Sequence, residues 1–335
     1  MLKVKIQSGG KKILYKSFSV AVKYLIDSKK LEADFMNLEK IFNVRFSELQ
    51  KKNFLSDKKY TVRAVNSSGK PDELIIFKVK LDEKFSSDYF RNQLTGFISS
   101  FENEEIKSLH IFIPDFEIFR NYFKSPEYYY QTFVEGIYYG SYSFNAYKSE
   151  GKKRKDLNVF LYAKNEKKLN ASITNGNIIM DGVFFARDLQ NEPSNNLTPQ
   201  IFSERVKAKI SNNNTSVTVL NEKVLRKMKM EGILAVGKGS VNPPALVVIR
   251  YSPPSEKKQK LKTSVLVGKG VMFDSGGISI KPAQSMWEMK ADMSGAAVVA
   301  AIIYSAGKAK LKVNIIGVIT AAETQISGAS YKTSD

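Results

Sequence analysis

Three stretches in the second half of the chain, ALVVIRY (245–251), TSVLVG (263–268) and VNIIGVIT (313–320), are almost unbroken runs of Val, Ile and Leu. Runs this short and this rich in β-branched residues read as strands, and strands apolar on both sides belong to a sheet covered on both faces. TSVTVL (215–220) reads as a further strand. Helical patterns lie between them, over 199–209, 222–230 and 292–306. The first of these opens on Thr198-Pro199, a hydroxyl cap followed by a proline in the first turn. Strands alternating with helices indicate an α/β fold. The first half repeats the theme with more Phe, Tyr and Lys. LIIFKVKL (74–81), LHIFIPDF (109–116) and DLNVFLYA (156–163) read as strands, and 88–101 and 128–142 as helices. The polar NEKKLN predicts a break near Lys168, followed by a helix over about 173–189 that ends at the turn-rich NEPSNNLTP.

Composition narrows the chemistry. At 335 residues the chain exceeds what one compact domain usually holds, and 43% hydrophobic with 25% charged residues excludes a mainly disordered chain. There is no cysteine, hence no disulfide, thiolate metal site or cysteine nucleophile. The single histidine, His110, sits in an apolar strand and reads as a packed residue. Any metal site must therefore use carboxylates, carbonyls or an unusual amine. The net charge is +19, but the first 168 residues carry +10 of it and the rest +9, so no basic segment stands out as a polyanion site. The densest runs, 152–155 and 257–260, read as solvated turns, and specific nucleic-acid binding is not expected. The N-terminus MLKVKIQSGGKK has no apolar signal core, and the longest small apolar run, 295–303, falls short of the roughly 20 residues that span a bilayer. A cytoplasmic location without a membrane partner is the expectation.

GILAVGK (232–238) imitates a phosphate-binding loop, but Gly239 stands where a Ser or Thr is required, and ILAV suits a buried segment better. Residues 264–295 are more informative. A strand delivers Lys269 to its carboxyl end, where ligands bind in open α/β sheets. Asp274 follows, then Ser-Gly-Gly, then Lys281, and Asp292 heads an Ala-rich helix as an apparent cap. Spacing alone reaches a carboxylate-rich metal site and no further.

The stretches VGKGVMFDSGGISIK (267–281) and KADMSGAA (290–297) resemble the leucyl aminopeptidase (cytosol aminopeptidase) family pattern VGKGxxFDSGGxxxK followed by KADMxGA. FFARDLQNEPSNNLTP (184–199), GILAVGKGSVNPPALVVIRY (232–251) and AAETQISGASYKTSD (321–335) extend the resemblance, and VEGIYYGSYSFNAYK (134–148) carries it weakly into the first half. The tail departs from the family: Thr324 replaces an Asn, and Thr333-Ser334 stand where Pro-Gly precedes the Asp. The resemblance implies a smaller mixed α/β N-terminal domain (1–168), a linker helix (169–192), and the first part of an α/β/α catalytic domain with a central mixed sheet (193–335). It also implies a metallo-exopeptidase that removes leucine-like N-terminal residues from peptides with a free N-terminus. Two divalent ions, Mn²⁺, Zn²⁺ or Mg²⁺, would serve as cofactors, and the full-length parent would be a homo-oligomer, a hexamer. Asp274 would bridge the two metals, Lys269 and Asp292 would bind the more loosely held one, Lys281 would be the catalytic lysine, and Met289 would wall the pocket for the first side chain.

The family's remaining Asp and Glu ligands come from a motif reading roughly N-T-D-A-E-G-R, about 15–20 residues past the position of Asp335, and complete its two-metal site. The expectation is therefore a chain truncated within the catalytic domain and inactive alone. The rival reading is a non-catalytic basic scaffold or polyanion-binding homologue.

Overall fold

The structure is a computed structural model that describes residues 2–10, 13–67, 69–101, 104–149, 155–212, 214–254 and 261–333. Of the basic runs at 152–155 and 257–260, read above as turns, 152–154 and 257–260 lie outside the described residues, and Lys155 opens a strand instead. The chain divides into two compact units, 1–177 and 178–335, and the division falls inside one long helix.

Residues 2–65 carry no assigned element above, yet they fold into β1 (Leu2–Ser8), β2 (Ser19–Ile26), α1 (Leu31–Phe42), α2 (Glu48–Leu55) and β3 (Thr61–Val65). Next come β4 (Glu73–Val79), α3 (Tyr89–Ser100), β5 (Ser108–Phe112), α4 (Pro126–Ser141) and β6 (Lys155–Tyr162). The six strands form one sheet in the order β1-β6-β5-β2-β4-β3, parallel except for the β3–β4 pair. Every residue of β4 is buried, including the charged Glu73 and Lys78, which pair with Arg63 and Asp57. Phe35, Phe42 and Phe54 of α1 and α2 cover one face, while Phe90, Leu94, Phe133 and Ile137 of α3 and α4 cover the other. Gly136 and Gly140 let α4 approach α3 closely, since a Cβ at either would lie 2.6 and 2.5 Å from the carbonyl oxygens of Arg91 and Thr95.

The helix α5 spans Glu166–Asn191. Its start corrects the expected break at NEKKLN. The Asn165 side chain accepts a hydrogen bond from the Lys168 amide at 3.0 Å, so the polar run caps and begins the helix.

The second unit contains α6 (Pro199–Ile210), β7 (Thr215–Leu220), α7 (Glu222–Lys227), α8 (Glu231–Val236), β8 (Ala245–Tyr251), β9 (Thr263–Asp274), α9 (Ser294–Lys308) and β10 (Asn314–Thr324). The Thr198 side chain caps α6 as expected, accepting from the Ile201 amide. The helix expected over 222–230 stops at Lys227, because Lys229 adopts a left-handed conformation (φ 54°), and α8 is a separate helix beyond the expected range. GILAVGK lies largely in α8, where Leu234 alone is buried, so it is neither a phosphate loop nor a buried segment. The sheet order is β7-β8-β10-β9; β8 runs antiparallel to both neighbours and β9 runs parallel to β10. Phe202, Val206, Val299 and Ile303 of α6 and α9 pack on one face, and Leu225 and Leu234 of α7 and α8 on the other. This is the α/β/α layering that the alternation implied, with a mixed central sheet.

β9 corrects the expectation of a short buried strand. It runs six residues further, to Asp274, and Val265 and Val267 are 58% and 74% exposed because β9 is the edge strand among the described residues. The helix expected from Asp292 begins at Ser294. Asp292 instead closes a 3-10 turn over Met286–Ala291, and no side chain caps α9.

His110 is packed, as expected. It is 1% exposed, its ring stacks on Phe160, and Nδ1 lies 2.8 Å from the Tyr162 hydroxyl. Burial lowers its pKa to about 4, so the unfolded chain binds a proton below the ordinary value of about 6.5 while the folded chain does not. Its contribution is complete above pH 6.5 and is lost as pH falls toward 4. Urea midpoints measured across that window should fall more steeply for the natural chain than for His110→Phe.

Candidate metal centre

The carboxyl ends of β9 and β10 carry the site. Their parallel register continues from Thr263↔Asn314 to Asp274↔Thr324, with an irregularity just before the last pair. β9 ends in a turn anchored to its neighbour: Ser275 donates its backbone N–H (3.1 Å) and its hydroxyl (2.7 Å) to the Thr324 carbonyl. Gly276 donates its N–H to Asp274 Oδ1 at 3.0 Å, and the turn closes where the Lys281 N–H meets the Ser275 carbonyl at 3.0 Å. Gly276 and Gly277 have φ of +86° and +73°, and a Cβ on Gly276 would stand 2.4 Å from the Ser279 carbonyl oxygen. The glycines are there because the chain must double back tightly.

This geometry brings Lys269, Asp274, Lys281, Met289 and Asp292 together. Lys269 Nζ lies 2.7 Å from Asp292 Oδ2 and 3.8 Å from Asp274 Oδ2. Lys281 Nζ lies 2.7 Å from the same Asp274 oxygen and 3.2 Å from Met289 Sδ. Asp292 is thus freed from the capping role assigned to it above and faces Lys269 instead. Both carboxylates are largely shielded, while the two lysines are more open to solvent. Burial alone would raise the pKa of Asp274, but the Lys281 ammonium and the Gly276 amide outweigh it and hold the carboxyl below the usual carboxylate range. The Asp292 carboxylate raises the pKa of Lys269 against a smaller desolvation effect.

The donor set suits a divalent cation. Two carboxylates and one amine converge, and Asp292 Oδ2 is buried in an ion pair with Lys269 without hydrogen-bond alignment. Carboxylate oxygens accept Mn²⁺, Mg²⁺ or Zn²⁺, and a lysine can join them only as the neutral amine. Among the described residues no group of three His, Cys, Asp or Glu gathers, so these donors leave coordination positions open. Reading the sequence missed the anchors of the site, Ser275 and the Thr324 carbonyl, because a backbone acceptor leaves no mark in residue type. It also missed Lys290, whose ammonium donates to the Asn191 carbonyl at 3.2 Å.

Residues 184–335 match the model of the cytosol aminopeptidase family, catalytic domain. The chain belongs to the cytosol aminopeptidase family. A probable cytosol aminopeptidase of Persephonella marina is 32% identical over 313 residues, which cover 92% of this chain and 62% of that protein. The curated relatives it matches are longer, and it spans between 40% and 62% of their lengths. The fold is also that of solved structures. The bottromycin maturation enzyme BotP in complex with Mn superposes with a TM-score of 0.72 at 23% identity, over 94% of this chain and 62% of that one. A tomato leucine aminopeptidase variant superposes with 0.76 at 19% identity, over 100% and 65%.

Gly276→Ala should destabilise this family member by roughly 1–3 kcal/mol, the usual cost of a strained backbone position made worse by a contact with backbone. Urea denaturation monitored at Trp287, which stands in the adjoining 3-10 turn, reads the change.

Proposed function

We propose that this chain carries part of the metal centre of an aminopeptidase that releases N-terminal, leucine-like residues from peptides. The observation that carries the proposal is the convergence of Lys269, Asp274, Asp292 and Lys281 within 3.8 Å contacts at the ends of two parallel strands. The family membership of the same residues supports it.

Lys269, Asp274 and Asp292 would hold divalent ions, Mn²⁺, Zn²⁺ or Mg²⁺, with Asp274 placed between two of them. Such ions, when bound, supply a polarised scissile carbonyl and an acidified water. The chain's own groups do the rest. Asp274 orients Lys281, whose ammonium donors then face the space where a substrate carbonyl oxygen gains negative charge. Met289 packs its sulfur on Lys281 and would form a wall for the first side chain. The free N-terminal amine of a peptide would find an open coordination position at such an ion, which would account for an exopeptidase. A cytoplasmic location and a hexameric parent belong to the same proposal. Among the described residues no helix is long and apolar enough to cross a membrane.

Isothermal titration of the purified chain with Mn²⁺ tests the reading. The natural chain should bind, and Asp274→Asn should weaken binding on the order of 100-fold or more, since it removes the central charged ligand. Equal affinity in the two would sink the metal centre. With two carboxylates and one amine among the described donors, the 335-residue chain should turn over little or no leucyl chromogenic substrate. Chelator-sensitive turnover would contradict that part of the proposal.

A further inference from the structure

Just beyond the metal centre lies a buried carboxylate that the chemistry above does not use. Glu323, the penultimate residue of β10, is 1% exposed. Its Oε2 accepts from the Ser240 hydroxyl at 2.7 Å and from the Asn242 side-chain amide at 3.0 Å, and its Oε1 pairs with the Lys332 ammonium at 3.3 Å. Lys332 is itself mostly buried. Ser240 and Asn242 belong to the loop between α8 and β8, whereas Lys332 comes from the segment after β10. One carboxylate therefore gathers two loops that are distant in sequence against the end of one strand.

Two glycines show how tightly these loops are drawn together. A Cβ on Gly239 would stand 1.9 Å from the Gln325 carbonyl oxygen, and one on Gly328 would stand 2.1 Å from Val241 Cγ1. Between Glu323 and Gln325 sits Thr324, whose carbonyl receives both hydrogen bonds from Ser275. Its side chain also reaches to 3.7 Å from where a Cβ of Gly277 would be. The acceptor that holds the Asp274 turn is thus flanked on both sides by residues of the clasp.

We propose that Glu323 is a positioning residue for the metal-bearing turn. Its buried carboxylate clamps Ser240, Asn242 and Lys332 to the end of β10. The clamp fixes the Thr324 carbonyl, and the fixed carbonyl sets the direction in which Asp274 points. A buried charge with three partners holds its geometry firmly, because any displacement leaves a desolvated group unpaired. Groups that orient ligands without touching the ion typically change metal affinity by 10- to 100-fold. The inference rests on the metal reading for its consequence, but the clamp itself can be tested without metal.

The experiment is amide hydrogen exchange on the full chain without metal, paired with Mn²⁺ titration. Glu323→Gln should speed exchange of the Ser275 and Lys281 amides by roughly tenfold and weaken Mn²⁺ binding by about the same factor. Tyr251→Phe serves as the control. It removes the hydroxyl's 2.8 Å bond to the Leu311 carbonyl at the far end of the same sheet, and should lower stability while leaving the turn amides and Mn²⁺ affinity unchanged. Asn242→Ala removes one of the three contacts and should shift the same two amides in the same direction by less. It decides the matter if Glu323→Gln fails to fold. Exchange at the natural rate in the folded variants would overturn the proposal. If the natural chain binds no Mn²⁺, the metal reading falls, and the exchange comparison still decides the clamp.

Discussion

The parallel ladder between β9 and β10 is the interaction on which the site depends. It keeps the two strands in register from Thr263↔Asn314 to Val271↔Ala322 and, after one irregularity, ends them side by side, Asp274 opposite Thr324. A parallel pair puts both carboxyl ends at one edge of the sheet, and a ligand at that edge meets the first turn of the chain leaving each strand. Here that turn is tied back to the neighbouring strand by two hydrogen bonds from one serine. The centre therefore owes its shape to backbone geometry first and to side chains second.

Charge follows from that geometry. Two carboxylates brought this close in a sheltered place would repel each other, and the structure compensates with two lysines that approach from opposite ends of the segment. Lys269 arrives on the strand and Lys281 returns through the glycine turn, and both approach the same oxygen of Asp274. In a chain of net charge +19 the two aspartates and two lysines form a locally neutral cluster, so a divalent cation would have to displace the Lys269 proton to take its place between the carboxylates.

Much of this was legible in residue order, and the failures have physical causes. β7 and β8 fall on the expected residues because their β-branched runs are bounded by polar turns. α6 starts where Thr198-Pro199 says it should. The full length of β9 was hidden by Gly268 and Gly270, which look like strand breakers. They are in fact required by close approach: a Cβ at either would come within 2.7 Å of a neighbouring backbone oxygen, that of Gly295 or Thr320. An apolar strand also carries no sign of whether it lies at the centre or the edge, so the exposure of Val265 and Val267 could not be read. The early end of α7 rests on Lys229 in the left-handed region, where a glycine or asparagine would have advertised the stop.

The misplaced cap at Asp292 teaches the most. An Asp ahead of an Ala-rich helix has the sequence signature of an N-cap, and capping and metal binding compete for the same carboxylate oxygens. Here Asp292 closes the preceding 3-10 turn and Met293 takes the cap position, which leaves the carboxylate off the free amides of α9 and against Lys269. The helix thereby forgoes a cap worth about 1 kcal/mol. A local rule of helix formation is broken where the charge is wanted elsewhere, and such breaks concentrate at functional sites. The glycine turn is the second such break in the same stretch, and both leave a carboxylate facing the same small space.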